Sequence, residues 1–468
     1  MSAVDRPKLL EKVSYGFGDL ASVLYWQTFM LYLTYFYTDV AIIPLAALSA
    51  MILWVRTWDW VNDPLMGIIA DRTRTRWGKF RPYLLWLCVP FAIAGVLCFT
   101  VPDLDESGRF KWACATYILL MMLYTAINIP YTALLGVISP DSDDRTAISS
   151  IKFMFAFGAG IIVSATLLPM TRWLGGESEA QGWQNTFIIY GIAAVVFFLI
   201  AFFGTKERVQ PPKGQKTPVL EDLNDLVKNK PWLILLATTF VFILFVGTRG
   251  SVTVHYIKYH LGAQEVWLPF VGERSYEFVG LTSIFNTIGQ IFSFAGVFLV
   301  LWISKFVGKR KLFILFFLVA ILCTAAFYFV SPEQIYLILF LQAIGNMVGG
   351  PLSVLLWAMY ADTADYGEWK YGRRATGLIF SASTMSQKIG WAVSASFAIY
   401  LMNSVGFIPN VEQTEESINA LINLFSLIPA GLGVVSVLLI LLYPLNDQRV
   451  AEIGKALADR KATEESAV

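Results

Sequence analysis

Charge, cysteine and histidine are scarce in this sequence. Only 15% of its 468 residues are charged while 56% are hydrophobic, and the mean hydropathy is +0.60. This balance excludes an ordinary soluble domain, in which about a quarter of the residues are charged. The four cysteines fall in apolar stretches without pairing or ligand spacing, so we predict neither a disulfide framework nor a zinc site. Only two histidines are present, which argues against a histidine-rich metal centre.

Motifs of enzymes and of ATP-driven pumps are also missing. The sequence contains no phosphate-binding glycine loop and no nucleophile elbow, so chemistry on a substrate is not expected. Its first residues, MSAVDRPKLLEKVSYG, are charged and run directly into a long apolar stretch. A cleaved secretory signal is therefore not expected.

Apolar stretches long enough to cross a bilayer, about 20 residues each, make up most of the chain. A first six lie near residues 14–39, 45–70, 81–101, 112–136, 148–171 and 184–204. After a polar break, a second six lie near residues 231–260, 277–303, 311–330, 335–361, 374–403 and 418–443. Because helices satisfy their own backbone groups in lipid, we predict an all-α membrane protein with about twelve transmembrane helices in two six-helix halves. Such a duplication is typical of transporters.

The polar segments predict the domain limits and the orientation. The expected parts are an N-terminal bundle (1–204), a cytoplasmic linker with a short amphipathic helix (205–230), a C-terminal bundle (231–445) and a cytoplasmic tail (446–468). Arginine and lysine cluster in alternate connections, such as 72–81 and 305–311, which are therefore predicted to be cytoplasmic. The opposite connections, such as 103–107, are acidic. Both termini fall on the basic side.

The second apolar stretch contains two aspartates in the sequence WDWVNDPLMG. Asp59 and Asp63 are four residues apart, so they share one face of a helix, with Asn62 beside them. An aspartate at mid-membrane costs about 2.5–3.5 kcal/mol on insertion scales, so the pair needs a positive partner, a proton or a bound cation. Thr125 on the fourth stretch offers a further oxygen ligand for a hard cation. The alternative is that Asp59 pairs with Arg56 and serves only structure.

Six fragments together carry a family resemblance. They are SYGFGDLAS (14–22), FYTDV (36–40), WDWVNDPLMG (58–67), TRTRWGKFRPY (73–83), NIPYTALL (128–135) and ADTADYGEWKYGRRATGL (361–378). In both halves the chain resembles the glycoside-pentoside-hexuronide:cation symporters of the major facilitator superfamily, which include the melibiose carrier. The resemblance implies uptake of a sugar coupled to Na⁺ or H⁺ by alternating access, with no other cofactor. It also implies that Asp59 and Asp63 bind the cation, that Thr125 assists, and that Lys388 is a buried lysine close to them.

The sugar site departs from the melibiose pattern. By this resemblance the first-helix aspartate falls at Val23, and the chain has Asp19 one turn earlier. The fourth-helix aspartate is Asn128, and the fifth-helix arginine is Lys152. A melibiose-like galactoside is therefore not expected. Trp26 offers an aromatic face for a sugar ring, or it is one of the tryptophans that anchor membrane proteins at the interface.

Candidate substrate residues in the second half are Arg249, Lys388 and Trp391. Arg249 would suit a bidentate contact with the carboxylate of a hexuronide, or it would simply face an aqueous cavity. The sequence therefore leaves both a neutral glycoside and an anionic hexuronide open.

Two basic connections, DRTRTRWGKFRP and SKFVGKRKL, form a pseudo-repeat. Their cations are suited to pair with acidic helix ends when the cytoplasmic side is closed. The predicted gating residues are Arg76, Asp365, Glu368 and Arg373. The alternative is that these charges are solvated and only set the topology.

We therefore predict a cation-driven sugar importer of the inner membrane, working as a monomer in the lipid bilayer. Its expected partners are a small sugar and a monovalent cation, and no nucleic acid. One alternative is a cation symporter for lysolipids or other amphiphiles on the same fold, which Asp19 with Lys152 argues against. Another is a membrane enzyme or a non-transporting sugar sensor, but the linker and the tail are too short for an output domain.

Overall fold

The computed structural model describes residues 6–139, 142–208, 226–269, 272–372 and 376–466. A few side chains within these ranges, including that of Asp59, lie outside the description. The predicted linker helix also lies outside it, except for its last residues.

In the described ranges, the first half of the chain contains six long helices joined by short connections. Its helices are α1 (Leu9–Leu31), α2 (Leu45–Arg72), α3 (Arg81–Cys98), α4 (Glu106–Ile138), α5 (Ser142–Gly175) and α6 (Glu179–Gly204). A short helix (Leu33–Tyr35) and a π-helical turn (Phe36–Val40) prolong α1. Local signals set several helix starts, because Asp105 and Ser178 accept hydrogen bonds from N–H groups in the first turns of α4 and α6.

The second half contains six further spans and a tail helix. They are α7 (Lys230–Tyr256), α8 (Phe278–Val307), α9 (Lys309–Ala326), α10a (Ile335–Gly349) with α10b (Leu352–Tyr371), α11 (Thr376–Ser404), α12a (Glu415–Phe425) with α12b (Leu427–Leu441), and the tail helix α13 (Asp447–Ser466). A π-helical turn (Ile257–Leu261) follows α7, and the antiparallel strands β1 (Gln264–Leu268) and β2 (Gly272–Tyr276) connect it to α8.

The helices match the length and composition of membrane spans. In the described residues, nine are long and apolar enough to cross a bilayer. The remaining three, α1, α2 and α11, carry Asp19, the acidic pair and Lys388, respectively. The predicted all-α membrane fold with about twelve helices in two halves is confirmed.

The described residues form two compact units. One takes in those of Met1–Lys213, Ser251–Thr287 and Ala395–Ile418, and the other those of Gly214–Gly250, Ile288–Ser394 and Asn419–Val468. In the first unit α1 packs on α5 and α6, while α4 packs on α2 and α3. In the second unit α9 packs on α10a and α12b, and α10b packs on α13. The predicted domain limits at 204 and 230 stay a prediction.

Helices α8 and α10a approach each other backbone to backbone. A Cβ atom on Gly296 would overlap the carbonyl oxygen of Met347, and one on Gly350 would overlap the hydroxyl of Ser293. Glycine is thus required at position 296, where the neighbour is backbone, whereas at position 350 the Ser293 side chain would have to move. Helix α10 is interrupted directly beside this contact, where Pro351 precedes α10b.

Candidate functional site

A buried pair of tyrosines positions the first candidate substrate residue. The rings of Tyr15 and Tyr131 stack with centroids 4.6 Å apart. Each hydroxyl donates to the other residue's carbonyl oxygen, at 3.1 and 2.8 Å. Gly18 lies against the Tyr131 ring and leaves no room for a Cβ. These contacts fix α1 against α4. Asp19 lies on α1 one turn beyond Tyr15, so the same contacts set its position.

Asp19 and Lys152 form an ion pair between α1 and α5. The Lys152 Nζ lies 3.6 Å from the Asp19 Oδ1, with side-chain exposures of 20% and 14%, and 5.7 Å from the centre of the Tyr131 ring. Two charges in a membrane interior need such mutual compensation. The pair combines a hydrogen-bond acceptor and a donor, the groups that sugar hydroxyls require, without leaving a net charge.

Trp26 and Asn128 lie on the same two helices as the tyrosine pair. The half-buried Trp26 ring stacks on Tyr124 with centroids 5.7 Å apart, and the Arg56 guanidinium lies 6.0 Å from the Trp26 ring. Asn128 is half-buried and donates its amide to the carbonyl oxygen of Tyr124 at 3.0 Å. The structure thus brings an aromatic face and an amide to the α1–α4 contact.

The residues of the predicted cation site lie on α2 and α4. The hydroxyl of the buried Thr125 donates to the Asp63 Oδ1 at 3.1 Å, and the role of both residues in binding a cation stays a prediction. Asn62 is half-buried beside it. Carboxylate, hydroxyl and amide oxygens are hard ligands, suited to Na⁺ or to a carboxylate that carries a proton. Among the residues that the structure describes, three or more His, Cys, Asp or Glu side chains never cluster as a metal centre would require.

The alternative partner of the acidic pair, Arg56, has other contacts. Its Nε donates to the Tyr117 hydroxyl at 3.1 Å, and the residue is buried. The Asp59 side chain lies outside the described part of the chain. The predicted role of Asp59, with Arg56 or with a cation, therefore stays a prediction.

Arg249 lies in a dense aromatic contact of the second unit. Its guanidinium is 4.8 Å from the Phe327 ring and 4.5 Å from the Phe425 ring, and its Nη2 donates to the Gln342 Oε1 at 2.8 Å. The two cation–π contacts join α7 to the turn after α9 and to α12a, and the hydrogen bond to Gln342 adds α10a. This environment supports a structural role for Arg249 better than a carboxylate clamp.

Lys388 and Trp391 are both half-buried on α11, in the second unit. Trp391 packs against the hydrophobic core of that unit, and its ring lies 3.0 Å from where a Cβ on Gly247 would be. The predicted proximity of Lys388 to the acidic pair stays a prediction.

Three of the four predicted gating residues lie in the described part of the chain. Arg76 lies 4.4 Å above the Trp77 ring, whereas Asp365 and Glu368 are half-buried on α10b. Arg373 lies outside the described residues. The second basic connection does reach an acidic helix, because Lys309 pairs with Asp362 on α10b.

Two acidic residues at the basic connections were missed by the sequence analysis. Glu207 accepts hydrogen bonds from the N–H groups of Lys79, Phe80 and Arg81 at 2.7–2.9 Å. Asp447 accepts one from the N–H of Lys309 at 3.1 Å. Glu207 therefore caps the start of α3, and Asp447 caps the start of α9. The repeated Gly-Lys dipeptide at 78–79 and 308–309 was the signal that could have revealed them.

The fold and these polar sites define a membrane carrier of the major facilitator type. The model of the family described as MFS/sugar transport protein matches residues 14–447. The chain therefore belongs to this family, and the resemblance to glycoside-pentoside-hexuronide:cation symporters is confirmed. The protein is a multi-pass membrane transporter and not an enzyme.

Individual relatives agree along nearly the whole chain. The inner membrane symporter YicJ of Escherichia coli (strain K12) is 35% identical over 424 residues, covering 90% of this chain and 88% of that protein. The isoprimeverose transporter of Lactiplantibacillus pentosus is 33% identical over 460 residues, covering 97% and 92%. The crystal structure of the nucleoside transporter NupG has a TM-score of 0.60 at 12% identity, covering 93% of this chain and 98% of that one. The last similarity concerns the fold alone.

Proposed function

We propose that this protein imports a neutral glycoside together with Na⁺ or H⁺ across the inner membrane, as a monomer with both termini in the cytoplasm. The observation that carries the proposal is the arrangement of three residues on α4. Thr125 bonds the cation-site residue Asp63, its neighbour Tyr124 stacks on Trp26, and Asn128 follows one turn later. One helix thus contacts the cation site and the candidate sugar site at once.

This arrangement supports coupling. A cation or proton at Asp63 changes the charge that Thr125 faces, and a shift of Thr125 moves the backbone that presents Tyr124 and Asn128. The affinity for sugar then depends on the cation, and by thermodynamic linkage the affinity for the cation depends on sugar to the same degree. Symport requires this reciprocity, with alternating access as the transport step.

The contacts of two candidate substrate residues, Lys152 in the first unit and Arg249 in the second, favour a neutral substrate. Lys152 and Asp19 compensate each other, and the Arg249 guanidinium is engaged by Gln342 and two phenylalanine rings. A hexuronide carboxylate that bound Lys152 or Arg249 would have to displace one of these partners. The relative named as an isoprimeverose transporter adds support for a glycoside.

Uptake of labelled isoprimeverose and of other glycosides into membrane vesicles tests the proposal. A gradient of Na⁺ or of pH is imposed across the vesicle membrane. The unmodified protein is compared with the variants Asp63→Asn and Asp59→Asn. We expect both variants to lose accumulation against a gradient while sugar exchange partly survives, because exchange needs no net cation movement. Dependence on the Na⁺ gradient would identify sodium as the coupled ion, and dependence on pH alone would identify the proton.

The matched control is Asp103→Asn, which changes an exposed acidic residue in the connection between α3 and α4. It should accumulate sugar like the unmodified protein. Normal accumulation by Asp63→Asn would contradict the coupling role of this carboxylate. Stronger competition by glucuronides than by neutral glycosides would refute the neutral-substrate proposal.

A further inference from the structure

A buried cluster of polar and charged side chains lies at the end of the first unit that is opposite to the basic connection between α2 and α3. We call Asp39, His255, Lys258, Tyr259 and Asn410 the Asp39 cluster. Asp39 lies in the π-helical turn after α1, and His255 lies in the last turn of α7. Lys258 and Tyr259 belong to the π-helical turn that follows α7, and Asn410 to the connection between α11 and α12a. The cluster therefore joins the first half of the sequence to two points of the second half.

The Asp39 carboxylate is surrounded by donors. The Lys258 Nζ lies 2.8 Å from its Oδ1, and the Tyr259 hydroxyl donates to the same oxygen. The His255 Nε2 lies 3.0 Å from its Oδ2. The side chains of Asp39 and His255 have no exposed surface. A carboxylate this deeply buried is stable only while its partners stay in place.

Asn410 completes the cluster from a third segment. Its amide donates to the Asp39 carbonyl oxygen at 2.6 Å, and its Oδ1 accepts from the Lys258 Nζ at 2.6 Å. Its backbone N–H donates to the Tyr259 hydroxyl at 2.8 Å. The backbone here has a φ of +61°, a conformation that asparagine tolerates better than most residues. Separating any one segment therefore breaks bonds of the other two.

Other contacts at this end join the same halves of the sequence. The hydroxyls of Ser49 on α2 and Ser396 on α11 lie 2.9 Å apart, and each also donates to the other's carbonyl oxygen. The Asn286 amide donates to the Tyr32 hydroxyl at 3.1 Å. Arg172 pairs with Glu277. Of these contacts, the Asp39 cluster contains the most deeply buried charges.

We propose that the Asp39 cluster is the closing contact of this end, and that Asp39 must separate from Lys258 and His255 before the end can open. The proposal rests on the proposed function, since alternating access requires the contacts between the two halves to open at each end in turn. The positive-inside rule assigns this end to the outside. The cluster then governs how readily the empty carrier exposes its site to external sugar.

Labelling of a single cysteine tests the proposal. Ser49→Cys, in a chain whose four natural cysteines are replaced by serine, places a thiol at a position that is only 9% exposed. A membrane-impermeant maleimide added from outside would react with it only in the open state. With Asp39→Asn we expect labelling about tenfold faster, which corresponds to about 1.4 kcal/mol of lost closed-state stabilisation. Lys258→Gln should act in the same direction, and Lys258→Arg less.

Asp103→Asn is the matched control and should leave the labelling rate unchanged. A cluster that only stabilises the fold would lower the melting temperature in Asp39→Asn and Lys258→Gln without changing the rate at position 49. That result would overturn the proposal. If Asp39→Asn does not reach the membrane, Lys258→Gln decides by the same measurement.

A disulfide supplies an independent test. Ser49→Cys combined with Ser396→Cys should form a cross-link on oxidation, since the two hydroxyls already lie 2.9 Å apart. We expect the cross-link to stop sugar uptake and a reductant to restore it. Uptake that continues with the cross-link intact would also overturn the proposal. Labelling needs neither sugar nor cation, so a wrong substrate or coupling ion would leave the labelling result valid.

Discussion

The two basic connections of this carrier share a glycine turn and a capping carboxylate. They differ in the number of backbone N–H groups that the carboxylate accepts. In the connection between α2 and α3, Gly78 has a φ of +113°, and the Glu207 carboxylate accepts three backbone N–H groups. In the connection between α8 and α9, Gly308 has a φ of +85°, and Asp447 accepts one. Both carboxylates follow the last span of their own half.

An arginine adds to the similarity. Arg81 donates to the carbonyl oxygen of Phe202 near the end of α6, and Arg310 to that of Leu441 at the end of α12b, both at 2.6 Å. The second connection has in addition the pair between Lys309 and Asp362 of α10b. Duplication has thus kept the backbone turn and its acidic cap. The number of bonds per cap differs, so the first connection is the more firmly fixed one.

The largest effect is expected from Glu207→Ala. It leaves three N–H groups at the start of α3 without their charged acceptor. Hydrogen bonds to charged groups contribute about 1.5–3 kcal/mol each but are not additive, so we expect a loss of about 3 kcal/mol in the free energy of unfolding. Thermal melting of the purified protein in detergent measures it. The exposed Glu177 provides the control Glu177→Ala, and equal melting of the two variants would contradict the comparison.

Substitution of the two glycines should have the next largest effect. Gly78→Ala and Gly308→Ala each force a side chain into a backbone conformation that costs about 1–3 kcal/mol, and each new Cβ would meet the capping carboxylate. Both variants should melt at lower temperature. Gly136→Ala, whose Cβ meets no atom within 4 Å, is the control. Full additivity of Gly78→Ala with Glu207→Ala would show that the turn and the cap are independent.

Asp447→Ala should have a smaller effect than Glu207→Ala. It removes one N-cap hydrogen bond, whose loss is expected to cost about 1 kcal/mol. The same melting measurement applies, with Glu452→Ala on the exposed face of α13 as control. A loss equal to that of Glu207→Ala would break the comparison, because it would mean that the number of bonds does not determine how firmly the connection is held.

The smallest effect is expected at an ion pair of the first unit that joins the first turns of α1 and α5. The Lys12 Nζ lies 2.6 Å from the Asp144 Oδ1, and this hydrogen bond lowers the pKa of the Asp144 carboxyl. A lowered pKa stabilises the fold above the unfolded-state value, about 3.9, and the contribution is lost as the pH falls through the folded-state value. Asp144→Asn should therefore melt slightly lower at pH 7, with a difference that shrinks in acid. A difference that grows in acid would contradict this assignment.

The parts that could be predicted from the sequence are those governed by local pattern or by the family resemblance. Bilayer thickness determines the length of an apolar span, so the twelve spans could be read directly. The resemblance placed Thr125 and Asp63 at one predicted cation site, and the two residues are hydrogen-bonded to each other. The pairing of Asp19 with Lys152 could not be predicted, because a single sequence does not say which faces of distant helices meet.

The residues that were missed have partners far along the chain. Glu207 caps a helix that begins 126 residues earlier, and Asp39 meets Lys258 across 219 positions. Neither spacing leaves a periodic signal. The π-helical turns that carry Asp39 and Lys258 also escape a search based on α-helical periodicity.

The contact between α8 and α10a limits how the second unit can deform. At Gly296 no side chain separates α8 from the backbone of α10a, so nothing is available there to repack if one helix slides along the other. The pair must therefore travel together. Bending is left to the interruption between Gly349 and Leu352, where the hydrogen-bond ladder of α10 is already broken. A spectroscopic label on α8 would consequently report the displacement of α10a, whereas a label on α10b would report a separate movement.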